Sequence, residues 1–324
     1  MKDEILNKII EAINQKEELD KYIIIGRERS EIKKENFWSI NGEFNQKIAF
    51  IDGGNSEIIK GANFSLQLIR IYYTIYSNNK RIKNNRNDYF VLVVAKNKNN
   101  NIIYEVNIFG QELKLEFDSF DENLKQGNHR ILPATIAEHT RKLLEIKQAR
   151  DLIKELNNND LIVRDGDLEE NEEIESRFIE ELKQDCLNYN IILLGLSKTS
   201  TLLTENGNSA IITLSNIAPE NEWIYFTNKS EISFVKLNKN SKYVFRLDYL
   251  SQQRDLLISS LNGLKNNSRD PIFLGYPYGL IEADKLARVS NNEAQQLNLS
   301  LLSKKKEFEK YQKTVDAHDL LNII

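Results

Sequence analysis

The sequence predicts an α/β protein: a mixed sheet flanked by helices, with additional strands and a helical C-terminal region. Three observations predict it. A series of strand-type runs fills residues 48–109 with no helical pattern between them. Two short apolar runs, Leu161–Arg164 and Ile191–Leu196, then alternate with helical patterns. Finally, the segments Lys47-Ile-Ala-Phe-Ile-Asp-Gly-Gly54 and Leu161-Ile-Val-Arg-Asp-Gly-Asp-Leu168 are apolar runs that end in Asp-Gly. Strands that alternate with helices imply right-handed crossovers and some parallel pairing.

The elements follow in order. Residues 1 to about 20 read as a charged amphipathic helix, with Ile5, Ile9, Ile10 and Ile13 near helical spacing. From Lys47 the period changes to that of strands: Ile48–Gly54, then Phe64–Tyr76 with its β-branched and aromatic residues, then Tyr89–Ala95. Ile102–Phe109 adds a fourth across the Asn-rich turn at 97–101. Pro133 opens a long helix to about Asn157, whose buried stripe is Ile136, Leu143, Leu144, Ala149, Leu152, Ile153 and Leu156. Leu161–Arg164 is a short buried strand, Glu172–Asn188 a helix, and Ile191–Leu196 a further buried strand. Strand runs are expected again at Ser209–Leu214, Trp223–Phe226, Ile232–Leu237 and Tyr243–Asp248. From Ser251 the chain is mostly helical, interrupted at Asp270–Tyr278. A meander followed by two crossover strands is the order of the ribonuclease-H-like fold, in which the first strand lies beside the first crossover strand.

Composition narrows the function. With 324 residues the chain can bury a large core. The single Cys186 excludes a disulfide framework and a cysteine-based zinc site, and suits a reducing cytoplasm. No apolar run approaches the roughly 20 residues needed to span a bilayer, and the N-terminus is charged rather than signal-like. The expectation is a soluble, cytoplasmic protein. A net charge of −4 counts against a global basic surface. It leaves room for a nuclease with a local groove around acidic residues.

The two Asp-Gly segments are the candidate site. A carboxylate at the rim of a sheet, followed by a glycine that turns the chain away, is placed to bind a hard divalent cation through oxygen. Asp52 and Asp165 are far apart in sequence, so only the fold unites them. Either is otherwise the first residue of a plain turn, and Asp167 competes with Asp165. Glu138 and Glu145 lie seven apart on the long helix. Glu145 falls among Leu143, Leu144 and Ile146, where a charge is costly without a partner; a solvated helix glutamate is the plain alternative. Lys198, after the strand Ile191–Leu196, projects at the same rim and suits a phosphate or developing charge. Its Ser-Lys-Thr-Ser context lacks the spacing of a P-loop. His129, His139 and His318 share no metal-ligand spacing, and the first two read as surface residues. Tyr72, Tyr73 and Tyr76 alternate within a strand, so at least one side is core.

Phe50-Ile-Asp-Gly-Gly54, Val163-Arg-Asp-Gly-Asp-Leu168, Gly195-Leu-Ser-Lys-Thr-Ser200, Gly275-Tyr-Pro-Tyr-Gly-Leu-Ile-Glu-Ala-Asp-Lys-Leu-Ala287 and Asp316-Ala-His-Asp-Leu-Leu321 stand in one order. In that order they resemble the NurA nucleases over roughly residues 45 to 321. The resemblance implies a nuclease domain at 45–324 behind a helical extension at 1–44, and a homodimer around a central channel. It implies a DNA nuclease dependent on manganese or magnesium that cuts single strands and resects duplex ends in the 5′-to-3′ direction. A hexameric ATPase, HerA, is the implied partner in processing double-strand breaks. By position, Asp52 and Asp165 match the family's metal-binding aspartates, Glu145 its helix glutamate and Lys198 the lysine after the next strand.

Two departures stand out. Some family members place a catalytic histidine after the alanine at 283, where this chain has Asp284. The family's active-site tyrosine falls near the strand Ile232–Leu237, where this chain has Phe234. The implied ligand set is Asp52, Asp165 and Glu145 or Asp284. Two other classes remain open: a non-catalytic DNA clamp or scaffold of the same fold, and an ATP-binding protein of the actin and sugar-kinase type.

Overall fold

The computed structural model describes residues 2–13, 20–125, 127–169, 173–228 and 231–304. Helix α1 (Lys2–Ile13) is followed by a small hairpin of β1 (Tyr22–Ile25) and β2 (Glu28–Glu31). Next come β3 (Phe37–Ser39), β4 (Ile48–Lys60), β5 (Phe64–Ser77), β6 (Lys80–Lys98), β7 (Asn101–Ile108) and β8 (Lys114–Asp118). The chain then alternates: α2 (Pro133–Leu152), β9 (Leu161–Asp165), α3 (Glu173–Asn188), β10 (Ile192–Ser197), α4 (Ala210–Ile217). Strands β11 (Trp223–Phe226), β12 (Ile232–Lys236) and β13 (Phe245–Tyr249) precede α5 (Arg254–Asn267), α6 (Tyr278–Ala287) and α7 (Asn291–Lys304). Within residues 1–44, read as a helical extension, the described chain thus holds α1, the small hairpin and β3.

Among the described residues, eleven strands form one mixed sheet in the order β3-β11-β12-β13-β10-β9-β4-β5-β6-β7-β8. The expected meander is β4 to β7, and β8, which the sequence pattern did not announce, extends it; all pair antiparallel. Its turns at Asn78-Asn79 and Asn99-Asn100 have positive φ at both residues, the backbone of a tight two-residue hairpin that asparagine tolerates. The two crossover strands, β9 and β10, lie parallel to β4 and to each other. Asp52 and Asp165 therefore sit on neighbouring strands. The ribonuclease-H-like arrangement expected from the element order is the one observed.

Helices cover both faces. Helices α2 and α3 pack on the side of Ile51, Ile69, Ile71 and Tyr73. Helices α5 and α6 pack on the opposite side, against Phe50, Tyr76, Leu161 and Val163. Successive residues of a strand point to opposite faces, so Tyr73 joins the first core, while on the opposite face Tyr76 joins the second and Tyr72 packs against Ala283 and Ala287 of α6. All three are buried.

Three expectations are corrected. Ser209–Leu214 is not a strand: Ser209 precedes α4, and Ala210 and Leu214, four apart, bury one helical face against Trp223 and Tyr225. Tertiary packing there overrides a β-branched local composition. Strand β4 does not end at Asp52-Gly53 but runs on to Lys60. His139 is buried edge-on against Phe117 rather than exposed, while His129 is exposed. His318 and the Asp316–Leu321 motif lie outside the described residues.

Candidate metal centre

The rim that carries the site is set by β9. Pairing between β4 and β9 ends at Ile51 and Arg164, and β9 stops one residue later at Asp165. Gly166, at a φ of 104°, then turns the chain away in a backbone that an L side chain resists. Asp52 is the first residue of β4 beyond this pairing. Its carboxylate projects to the same face as Phe50, towards α6. Gly53 has a different role from a turn: a Cβ there would collide with the Glu145 carboxylate and the Ile71 side chain. The glycine opens the α2 face of the sheet so that Glu145 can approach Asp52.

Helix α6 supplies the third carboxylate. Asp52, Asp165 and Asp284 each offer an oxygen within 4.8 Å of the others'. Lys198 binds two of them: its Nζ lies 2.6 Å from Asp165 Oδ2 and 2.8 Å from Asp284 Oδ1. Below, the Tyr276 hydroxyl donates to Asp165 Oδ1 at 3.1 Å, and the Lys198 ammonium lies 5.6 Å from the Tyr276 ring centre. Glu145 is buried beneath Gly53. It pairs with Arg141, which also donates to the Gly53 carbonyl at 3.1 Å, and it lies 3.6 Å from Arg164 Nη2.

The electrostatics follow from crowding. Burial, then the charges of Glu145 and Asp165, push the Asp52 carboxyl up to about 8. Burial also raises Glu145, against the pull of Arg141 and Arg164. Burial works against the charge on Lys198, but Asp165 and Asp284 outweigh it and raise its pKa. Burial and the neighbouring Asp165 push the Tyr276 hydroxyl well up, so it stays a donor. Like charges this close cannot all ionise unless a cation joins them.

The sequence-derived candidates divide cleanly. Asp52, Asp165, Asp284 and Lys198 converge, and Glu145 lies beside them in the grip of two arginines. Asp167 is a turn residue, its carboxylate accepting from the Glu169 amide at 3.3 Å, and Glu138 is exposed. Phe234 packs with Trp223 and Tyr225 in a separate core. The hydroxyl at the site comes instead from Tyr276, which sequence reasoning missed. The Gly275-Tyr-Pro-Tyr278 motif was visible, but nothing in it says which tyrosine turns inward. Arg141 and Arg164 were missed as well, since a lone arginine carries no signal of its partner.

Against solved structures, the chain matches the NurA nuclease from Sulfolobus solfataricus at a TM-score of 0.52 and 16% identity, over 95% of this chain and 94% of that one. The chain has the NurA fold. Weaker likenesses, with 12% and 10% identity, are to Ciona intestinalis endonuclease V in complex with a 24mer DNA and to the catalytic domain of human endonuclease V. The first has a TM-score of 0.41 and covers 89% of this chain and 97% of that one; the second has 0.38, with 75% and 81%. No protein-family model and no curated protein matches by sequence. In this chain β4 and β9 carry Asp52 and Asp165 at the sheet rim, Lys198 follows β10, and α6 brings Asp284. No helix among the described residues is long and apolar enough to cross a membrane.

Proposed function

We propose that the protein is a divalent-metal-dependent deoxyribonuclease. The observation that carries this is the meeting of three carboxylates from β4, β9 and α6 around one lysine. The donor set fits a hard cation: oxygen only, partly buried, and over-supplied with negative charge. Asp52, Asp165 and Asp284 would hold magnesium or manganese, with Glu145 adjacent. When bound, such an ion supplies activation of water and neutralises charge on the phosphodiester.

The chain's own groups support that chemistry. Lys198, kept protonated, serves as a fixed positive charge for the phosphate rather than as a base. Tyr276 fixes Asp165 from below through its hydroxyl. Arg141 and Arg164 pair with Glu145 close to Asp52 and offset part of the cost of burying its carboxylate there. The resemblance to NurA extends this reading to single strands and duplex ends cut 5′ to 3′, to a homodimer, and to HerA as partner in end resection. Helix α1, with Ile5, Leu6 and Ile9 exposed, suits docking of HerA or of the second protomer.

The test is end-labelled single-stranded DNA incubated with manganese, with magnesium and with EDTA, alongside Asp52→Asn. Metal-dependent shortening that Asp52→Asn abolishes while keeping a native circular dichroism spectrum is the expected result. A folded Asp52→Asn chain that still cuts would sink the assignment. No cleavage by the wild type, even with HerA and ATP, would favour the non-catalytic clamp.

A further inference from the structure

Helix α6 carries a second carboxylate that the metal centre does not use. Glu282 precedes Asp284 by two residues, so the two side chains leave the helix on nearly opposite sides. Asp284 faces Asp165 and Lys198, and Glu282 faces β5 and β6. Glu282 is 7% exposed, and both its oxygens are engaged. Oε1 accepts from the Tyr72 hydroxyl at 2.7 Å and from Arg81 Nη1 at 2.8 Å; Oε2 accepts from the Tyr76 hydroxyl at 2.6 Å. Asn84 in turn donates to the Tyr72 oxygen at 2.7 Å. Tyr72 and Tyr76 lie four apart on β5, and Arg81 is the cross-strand partner of Tyr76. Tyr72 is itself the cross-strand partner of Asp52.

The rest of the α6 contact explains why such a fixture is useful. Where α6 meets the sheet it presents small residues: Gly279 over Phe50, and Ala283 and Ala287 against Tyr72. Small residues let a helix approach closely, but they offer few knobs to fix its rotation or its slide. A buried, fully hydrogen-bonded carboxylate is a device for register.

We infer that Glu282 is a positioning residue: the clamp of Tyr72, Tyr76 and Arg81 on its carboxylate sets the rotation of α6 and so places Asp284 against Asp52 and Asp165. The inference rests on the metal-dependent reading of the site. It predicts that metal affinity, rather than folding alone, depends on a side chain that points away from the metal.

The experiment measures Mn2+ binding directly, from the free Mn2+ signal in electron paramagnetic resonance, and the Mn2+ dependence of cleavage. The proteins are wild type, Glu282→Gln, Tyr72→Phe, Tyr76→Phe, Asp284→Asn and the double variant Glu282→Gln/Asp284→Asn. Outer partners of metal ligands typically contribute about 10- to 100-fold in affinity. The expected result is an Mn2+ dissociation constant raised about tenfold in Glu282→Gln, with cleavage recovering at saturating Mn2+. In the Asp284→Asn background the Glu282→Gln change has little further effect, because Glu282 acts through Asp284. The two tyrosine variants keep the packing and remove one donor each, so they carry the test if Glu282→Gln fails to fold; each raises the constant in the same direction. Folded variants that bind Mn2+ like the wild type overturn the clamp alone, as does a Glu282→Gln loss undiminished in the Asp284→Asn background. A wild-type chain that binds no Mn2+ overturns the clamp and the nuclease reading together.

Discussion

Asp52 sits inside the acidic cluster, and its protonation links site to stability. Its carboxyl ordinarily titrates at 3.8 and is pushed up to about 8 by burial and by Glu145 and Asp165. A carboxyl whose folded pKa exceeds its unfolded value takes up a proton on folding, so its contribution to stability is lost as pH rises between those two values. The metal-free chain is therefore expected to melt at progressively lower temperature from about pH 4 to about pH 8. Asp52→Asn, which cannot ionise, should show a shallower fall, and a matching slope in the two proteins would refute this account. Mn2+ should restore stability most at the alkaline end, where protons compete least for the same oxygens. Lys198 makes a second, separable case. It neutralises Asp165 and Asp284 in the metal-free chain, so on the proposed reading Lys198→Ala would remove a competitor of the metal as well as a partner for the phosphate. Cleavage at saturating Mn2+ should drop by about 10²-fold while half-saturation moves to equal or lower Mn2+. A metal titration of the rate decides it: half-saturation at higher Mn2+ would show that Lys198 organises the site instead.

Among the elements, α6 has the most exacting seat. A Cβ on Gly279 would overlap the Phe50 ring, and Phe50 is fully buried between β5 and β9. Gly279→Val should cost about 1–3 kcal/mol, the range for overpacking a core, and should weaken Mn2+ binding, because the helix that shifts carries Asp284. Denaturant unfolding with and without Mn2+ measures both; a variant as stable as the wild type would mean the seat is loose. Most elements were legible because their burial is periodic. Strands β4 to β7, α2 and α3 show in the spacing of apolar residues, β9 and β10 show as unbroken apolar runs, and the asparagine turns mark their own backbone. What was not legible depended on partners. The run at 209–214 reads as a strand until Trp223 and Tyr225 ask for a helix face. The extension of β4 past Gly53 is invisible locally, because Asp-Gly usually turns a chain, and here β5 continues to pair with it as far as Lys60. The two aspartates could be named from apolar runs that end in carboxylates. Tyr276 and the two arginines could not, since only the fold shows what they face.

Across the whole molecule, the sheet is long and its two ends are handled differently. Strand β8 alternates buried and exposed residues, and its outward Lys114, Glu116 and Asp118 put charge on an open edge, which discourages sheet-to-sheet association. Strand β3 is only three residues long, too short to recruit a partner strand readily. The three carboxylates that meet at the centre of this sheet are separated by more than a hundred residues at each step along the chain. The meander is built from neighbours in sequence and can form early, whereas the β4–β9 pairing closes a long loop and the seating of α6 closes a longer one. The set of three carboxylates is thus completed only when the last of these closures is made. A chain still emerging from the ribosome carries Asp52 and then Asp165, but cannot bring the third carboxylate to them. On the proposed nuclease reading, the chain would in this way stay inactive until its fold is finished.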